Sequence, residues 1–292
     1  MELPDIKKIT VDNVPHSFLD NRDVVLDVLR LDKIHPIISG NKWFKLKYHL
    51  ENFNSGNYDG ILTFGGAWSN HILATACACF LNQIKCVGII RGEKPTILSP
   101  TLEESLKYQM QLKFVLRELY RQKNELEFFE SIISEYPYHY IIPEGGSGEY
   151  GEKGAGEILE ILPTENYTHI VCAVGAGTMF KGIAGHLANG QQVMGIVVLK
   201  GWNEIFETEN GKLYNDYHFG GYAKYNAELI SFMNEFYQHT NIPTDFVYTG
   251  KVAFAIIDLI KKEQFNHGSK ILMIHSGGLQ GNRSLQKGSL IF

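Results

Sequence analysis

Strand-like runs alternate with helix-like segments through most of this chain, and that alternation limits the fold more than any other feature. Residues 24–31, 60–64, 85–90, 112–116, 168–174, 192–199 and 269–275 are short apolar stretches rich in β-branched side chains, the composition of strands. Between them, 72–81, 121–134, 151–162, 179–187, 226–240 and 251–261 read as helices. Ser99-Pro100-Thr101 opens a further helix, with proline at its first position. Parallel neighbouring strands need a crossover, usually helical, so strand–helix–strand repetition dictates a parallel sheet covered by helices. The expectation is an α/β protein.

Four of the strand-like runs open into small or glycine-rich turns, at Gly65, Gly145, Gly175 and Gly277. In open parallel sheets ligands bind in the crevice at the carboxyl ends of the strands, where glycines let backbone amides come close. The densest run, Glu144-Gly145-Gly146-Ser147-Gly148, reads as a crossing between two domains. The expected division is a larger domain of residues 1–45 and 149–292 with a smaller α/β domain, 46–148, inserted.

Bulk properties exclude several classes. A chain of 292 residues with 44% hydrophobic and 20% charged side chains is an ordinary globular one. Its net charge of −5 offers no electrostatic footprint for nucleic acid or an anionic membrane. The longest apolar stretches are too short to span a bilayer, and the first residues lack a signal-peptide pattern. Cys77, Cys79, Cys86 and Cys172 have neither disulfide nor zinc spacing. A cytoplasmic, reduced protein is expected, with no metal site.

Ser39-Gly40-Asn41-Lys42 carries the most unusual charge. Ser39 or Asn41 is placed to cap the helix that follows, with Lys42 in its first turn. There the positive end of the helix dipole disfavours an ammonium and should lower its pKa, giving a nucleophile able to form a Schiff base. By itself such a lysine is more often a solvated helix residue. Gly175-Ala176-Gly177-Thr178, between a strand and a helix, is a candidate phosphate cradle of amides and a hydroxyl. It is not a dinucleotide fingerprint, because Phe180 stands where the third glycine belongs. Ser69-Asn70-His71 follows Gly65-Gly66 and is either a helix cap or a hydroxyl and amide aimed at an anion. Tyr222 and Tyr248 sit beside glycines. His275 reads as a packed residue.

Taken in order, Ser39–Lys42, Gly65–His71, Pro143–Ser147, Gly175–Thr178, Val247–Gly250 and Ile274–Gly278 resemble a known family. They are similar to the pyridoxal-phosphate enzymes comprising 1-aminocyclopropane-1-carboxylate (ACC) deaminase and D-cysteine desulfhydrase, of the tryptophan synthase β-like fold type II. The resemblance implies two open parallel-sheet domains with pyridoxal 5'-phosphate between them, and a homodimer. It implies that Lys42 holds the cofactor and shuttles the α-proton, that Val174 to Thr178 cradle the phosphate, and that Asn70 meets the ring hydroxyl. Ser69 would contact the carboxylate of a small amino-acid substrate or act catalytically, in proton transfer or attack, with Asn70 and His71 beside it on the substrate. Tyr222 and Tyr248 would flank it, and Ser276, or less so Thr249, would face the pyridine nitrogen.

The chain departs from the family pattern at Leu73, where an arginine is common, and at Trp43-Phe44, where Thr-Arg is common. ACC deaminases of the family carry a glutamate after the second tyrosine; here it is Thr249. A hydroxyl there gives a weaker electron sink than an acid, which suffices for expelling thiolate. D-cysteine desulfhydrase is therefore the first expectation and ACC deaminase the second. A non-catalytic binding protein on the same fold, and a nicotinamide oxidoreductase, are the more distant alternatives.

Overall fold

The computed structural model describes residues 3–19, 22–123, 125–202 and 208–292. In chain order the strands are β1 (Val11–Asn13), β2 (Val24–Arg30), β3 (Gly60–Gly66), β4 (Cys86–Arg91), β5 (Gln111–Val115), β6 (His139–Ile142), β7 (His169–Val174), β8 (Gln192–Val197), β9 (Gly211–Tyr214) and β10 (Ser269–His275). The helices are α1 (Asn41–Ser55), α2 (Asn70–Leu81), α3 (Pro100–Lys107), α4 (Arg117–Arg121), α5 (Leu126–Glu135), α6 (Glu149–Gly156), α7 (Thr178–Ala184), α8 (Ala227–Thr240) and α9 (Thr249–Lys261).

Two sheets result. One is ordered β1-β2-β10-β7-β8-β9 and the other β5-β4-β3-β6. Every described pairing is parallel except β1 with β2. Their central strands are buried along almost their whole length, as strands covered on both faces must be. In the four-stranded sheet, Ile61, Ile72, Ile90 and Leu102 pack on the α2–α3 side. Phe64, Ile89, Tyr120 and Phe128 fill the α4–α5 side. In the six-stranded sheet, Val171, Met273 and Ile256 form one core with α9, and Leu29, Ile170, Phe180 and Ile183 form the other with α7.

The order of strands fixes where a ligand crevice falls. In the smaller sheet β4 and β5 lie on one side of β3 and β6 on the other; in the larger, β8 and β9 lie on one side of β7 and β10 on the other. Each sheet thus has a topological switch point, and the four glycine turns singled out in the sequence leave the carboxyl ends of the strands flanking these points, β3, β6, β7 and β10. Helix α1 joins the two sheets: Phe44 belongs to a core of the larger and Leu46 and Leu50 to a core of the smaller. The division expected between Lys45 and Leu46 falls inside this one continuous helix.

The segment expected as one helix over 121–134 is two, α4 and α5, with a turn from Glu125 N–H to Gln122 O (2.8 Å) between them; position 124 lies outside the described residues. The segment over 151–162 starts earlier, as α6, and tightens to a 3-10 turn over Glu157–Glu160.

Candidate active site

Lys42 is the second residue of α1, in the first turn as its sequence context implies. The cap differs from expectation. Gly40, at φ 64°, holds the N-cap position, and no side chain caps the helix. The reason is a long-range clamp: Gly40 N–H donates to Leu31 O (3.0 Å) and Asn41 N–H to Ser276 O (3.2 Å). A methyl on Gly40 would lie 1.9 Å from Ser276 O, so only glycine lets the lysine loop rest on the end of β10. Lys42 Nζ donates to Asn41 Oδ1 at 2.6 Å. Its pKa is lowered to about 8, chiefly by burial, with the Asp245 carboxylate pulling the other way. Desolvation, rather than the helix dipole, accounts for the shift.

Ser69 caps α2, its Oγ accepting from Ile72 N–H at 3.3 Å. Beside it Trp68 is 42% exposed. Asn70 is buried and turned across to the larger sheet, since a methyl on Gly278 would lie 3.0 Å from Asn70 Nδ2 and 3.6 Å from Asp245 Cγ. Asn70 Oδ1 is buried without a hydrogen-bond partner among the described residues. His71 Nε2 lies 2.8 Å from Thr63 Oγ1, whose own hydroxyl donates to Ile142 O at 2.9 Å. Nε2 therefore carries the proton, and Nδ1, buried and unpartnered, presents a lone pair. Burial, helped by the charges of Lys42 and Lys45, holds the His71 pKa well below its ordinary value. Leu73, where an arginine was the family's habit, is wholly buried in the small core.

Across the crevice, Gly177 (φ 77°) starts α7 after the β7 turn. Thr178 Oγ1 is buried and also unpartnered among the described residues. Gly175 faces Tyr248, with a methyl there 3.4 Å from Tyr248 Cε1, and Ala176 Cβ lies 3.6 Å from the corresponding position on Gly145. Lys45, one turn beyond Lys42, is buried and donates to Gly145 O at 3.4 Å. Burial first, and the Lys42 charge second, lower its pKa to about 7.

Asp245 organises the remaining side. It is wholly buried. Its Oδ2 accepts from Val247 N–H (3.0 Å) and Tyr248 N–H (2.9 Å), and its Oδ1 from Thr249 N–H (2.9 Å) and Thr249 Oγ1 (2.7 Å). Burial raises its pKa against those bonds and the nearby His275. Thr249 Oγ1 also accepts from Asp245 N–H at 2.7 Å, so this hydroxyl is committed to the start of α9. The Tyr248 and Tyr222 rings meet edge to face at 6.1 Å and 68°. Burial is the first cause that raises both phenols, Tyr248 well above the ordinary value. Ser276 is buried beside the lysine loop. His275 is packed, its Nε2 donating to Pro243 O at 2.7 Å.

Lys42, Asn70, His71, the Gly175–Thr178 turn, Tyr222, Tyr248 and Ser276 thus share one rim, linked by the contacts above. Thr249 Oγ1 is spent within its own element, donating to Asp245 Oδ1 and accepting from Asp245 N–H, whereas Ser69 Oγ accepts one bond and keeps its proton to donate. Asp245, Lys45 and Lys251 were missed from sequence. The one local signal for Asp245 was its place four residues before Thr249, ahead of a helix; that for Lys45 was a lysine beside the apolar Phe44 and Leu46. Lys42, Lys45 and Lys251 sit at about 8, 7 and 8. Because folding disfavours these ammonium groups, the unfolded chain binds more protons above about pH 7, and stability rises with pH until lysine's ordinary range. Cofactor-free protein should melt roughly 5 °C higher near pH 9 than near pH 7; a thermal scan in which Tm falls over that range would contradict the burial.

The arrangement places an amine of lowered pKa between an amide-lined turn suited to an anion and two protonated phenols. No protein-family model matches the chain. The bifunctional D-cysteine desulfhydrase/1-aminocyclopropane-1-carboxylate deaminase, mitochondrial, of Arabidopsis thaliana is 30% identical over 285 residues, 84% of this chain and 70% of that one. The D-cysteine desulfhydrase of Salmonella typhi is 25% identical over 281 residues, 86% of each. Among solved structures, an ACC deaminase homologue matches with a TM-score of 0.81 at 24% identity, over 96% of this chain and 94% of that one. The O-acetylserine-dependent cystathionine β-synthase of Helicobacter pylori matches at 0.71 and 12% identity, over 98% and 99%. The two structures carry the fold alone, whereas the plant enzyme's identity extends over most of both chains. With its lysine loop clamped to β10 at the larger sheet's switch point and the smaller sheet's turns facing it, the chain belongs to the ACC deaminase/D-cysteine desulfhydrase family.

Proposed function

We propose that this protein is a pyridoxal-phosphate-dependent lyase that converts D-cysteine and water to pyruvate, sulfide and ammonia. The cofactor's fit is supported by Asn70 Oδ1 and Thr178 Oγ1, two of the buried side-chain atoms without a partner among the described residues and the two that line the crevice from opposite sheets, since buried polar atoms are seldom left unpaired. Lys42 would hold the cofactor, Asn70 would meet its ring hydroxyl, and the Gly175–Thr178 turn would take its phosphate, with the Lys45 charge nearby. Ser276, whose hydroxyl is not committed as that of Thr249 is, would face the ring nitrogen. Pyridoxal phosphate, when bound, supplies the sink for charge developing at the substrate's α-carbon.

The remaining work falls to side chains. A pKa of about 8 raises the neutral fraction of Lys42 at pH 7 by two to three orders of magnitude, roughly, over an ordinary lysine. Its Nζ can then take the α-proton, while Tyr222 and Tyr248 keep their phenolic protons and donate hydrogen bonds. Loss of the β-thiolate as sulfide leaves an unsaturated amine, and water then displaces its nitrogen as ammonia to give pyruvate, which completes the balance. Asn70 and the α2 N-terminus would receive the carboxylate.

One observation carries D-cysteine ahead of ACC. Residue 249 contributes a hydroxyl, and that hydroxyl is bonded to Asp245, whose carboxylate already accepts three backbone N–H groups. A hydroxyl partner leaves a weaker sink, enough for a thiolate leaving group but poor for opening a carbon ring. The plant relative that carries both activities in its name keeps ACC deamination as the second reading. Purified protein loaded with pyridoxal phosphate and given equimolar D-cysteine and ACC should form pyruvate with sulfide. Formation of 2-oxobutanoate alone would reverse the preference, and a yellow protein yielding no keto acid would favour the binding role.

A further inference from the structure

Lys251 lies on α9 one turn beyond Tyr248, and its side chain is 0% exposed. A lysine is almost never wholly buried unless its ammonium is paired or hydrogen-bonded. Here Nζ donates to two backbone carbonyls, His218 O and Gly221 O, each at 2.8 Å. Both belong to the turn that carries Tyr222.

That turn holds the densest run of positive φ values among the described residues. Phe219 (φ 52°), Gly220 (φ 94°), Gly221 (φ 120°) and Ala223 (φ 53°) all have positive φ within five positions. Side chains other than glycine's rarely adopt that region, and such backbone persists only where its surroundings over-determine it. Within the turn Gly220 N–H donates to His218 Nδ1 (2.9 Å), and two backbone bonds reach its carbonyls, Gly221 N–H to His218 O (3.0 Å) and Lys224 N–H to Gly221 O (3.2 Å). Lys251 binds the same two acceptors. Phe219 also packs edge-on against Phe254 of α9 at 5.0 Å. Tyr248, for its part, is fixed by its N–H to Asp245 at 2.9 Å.

The geometry points to Lys251 as a positioning residue that sets Tyr222 against Tyr248 by latching the 218–224 turn to α9. The role of the tyrosine pair in turnover rests on the proposed lyase activity; the latch itself does not. A core lysine that merely stabilises the fold would lower Tm without acting specifically on this turn.

Lys251→Met keeps the stem and removes the donors, whereas Lys251→Arg keeps charge and donors. Hydrogen exchange in cofactor-free protein, at one fixed pH, is the first readout. In Lys251→Met the amides of Gly221 and Lys224 should exchange about tenfold faster or more, with the rest of α9 unchanged, and Lys251→Arg should recover part of that protection. On the loaded enzyme, kcat for whichever of D-cysteine or ACC is turned over should fall roughly 10- to 100-fold with the visible absorbance intact. Combined with Tyr222→Phe, the loss should not multiply. If Lys251→Met does not fold, Lys251→Gln gives the same comparison. Unchanged exchange over 218–224, or losses that multiply with Tyr222→Phe, overturn the assignment. A wild-type protein that turns over neither substrate sinks the lyase reading alone, and the exchange result still decides the latch.

Discussion

Replacing Lys42 with alanine is expected to leave a folded but colourless protein and to lower keto-acid formation by about a thousandfold or more. The residue as a whole is half-buried, with its amine the desolvated end, and its one described hydrogen bond runs to its neighbour Asn41, so little packing is lost. What disappears is the amine that holds the cofactor and moves the α-proton. Lys45 is the obvious substitute, being buried and depressed to about 7. Its ammonium is turned toward Gly145 O, away from the partner of Lys42. The check is the visible absorbance after incubation with pyridoxal phosphate and dialysis, together with pyruvate formation from D-cysteine. A variant that stays yellow and active would move the covalent role to Lys45.

Asp245→Asn should produce the largest loss of stability. The carboxylate accepts four hydrogen bonds, three of them from backbone N–H groups of the Val247–Thr249 turn. An amide has one oxygen to offer and sets an NH2 group against donors on the other side. Leaving buried donors unmet should cost about 3 kcal/mol or more, a fall of roughly 6 to 12 °C in Tm for a chain of this size. The substitution has a second effect of definite sign. The Asp245 charge now supports the Lys42 ammonium, so its removal should bring the Lys42 pKa below about 8. The rate at which an amine-selective reagent modifies Lys42 in cofactor-free protein, followed against pH, measures this. An unshifted profile beside a lowered Tm would restrict Asp245 to a capping role.

The alternation of strands and helices was legible because each central strand is buried on both faces and so reads as a continuous apolar run. The two strands not expected, β1 and β9, are sheet edges of three and four residues, too short and too exposed to leave a periodic signal. In the site, the glycine turns and the lysine, tyrosine and asparagine positions stood out by their place at strand ends. The cap of α1 did not, because its partners, Leu31 O and Ser276 O, are distant in sequence. Thr249 is the sharpest case. Its neighbours in sequence mark it as a ring partner by resemblance, yet its hydroxyl is taken by Asp245 four residues earlier. A glutamate placed at 249 would confront that buried carboxylate.

The sequence by itself determined the α/β class, the strand ends at which a ligand could sit, and Lys42 as the nucleophile candidate. These follow from local quantities: apolar periodicity, glycine's backbone freedom and a charge set in the first turn of a helix. The tertiary structure decided which lysines lose their charge, which hydroxyls remain available and what holds the two tyrosines together. Each of those depends on desolvation and on donors and acceptors brought from separate strands and helices, and neither exists until the chain has closed the two sheets around α1.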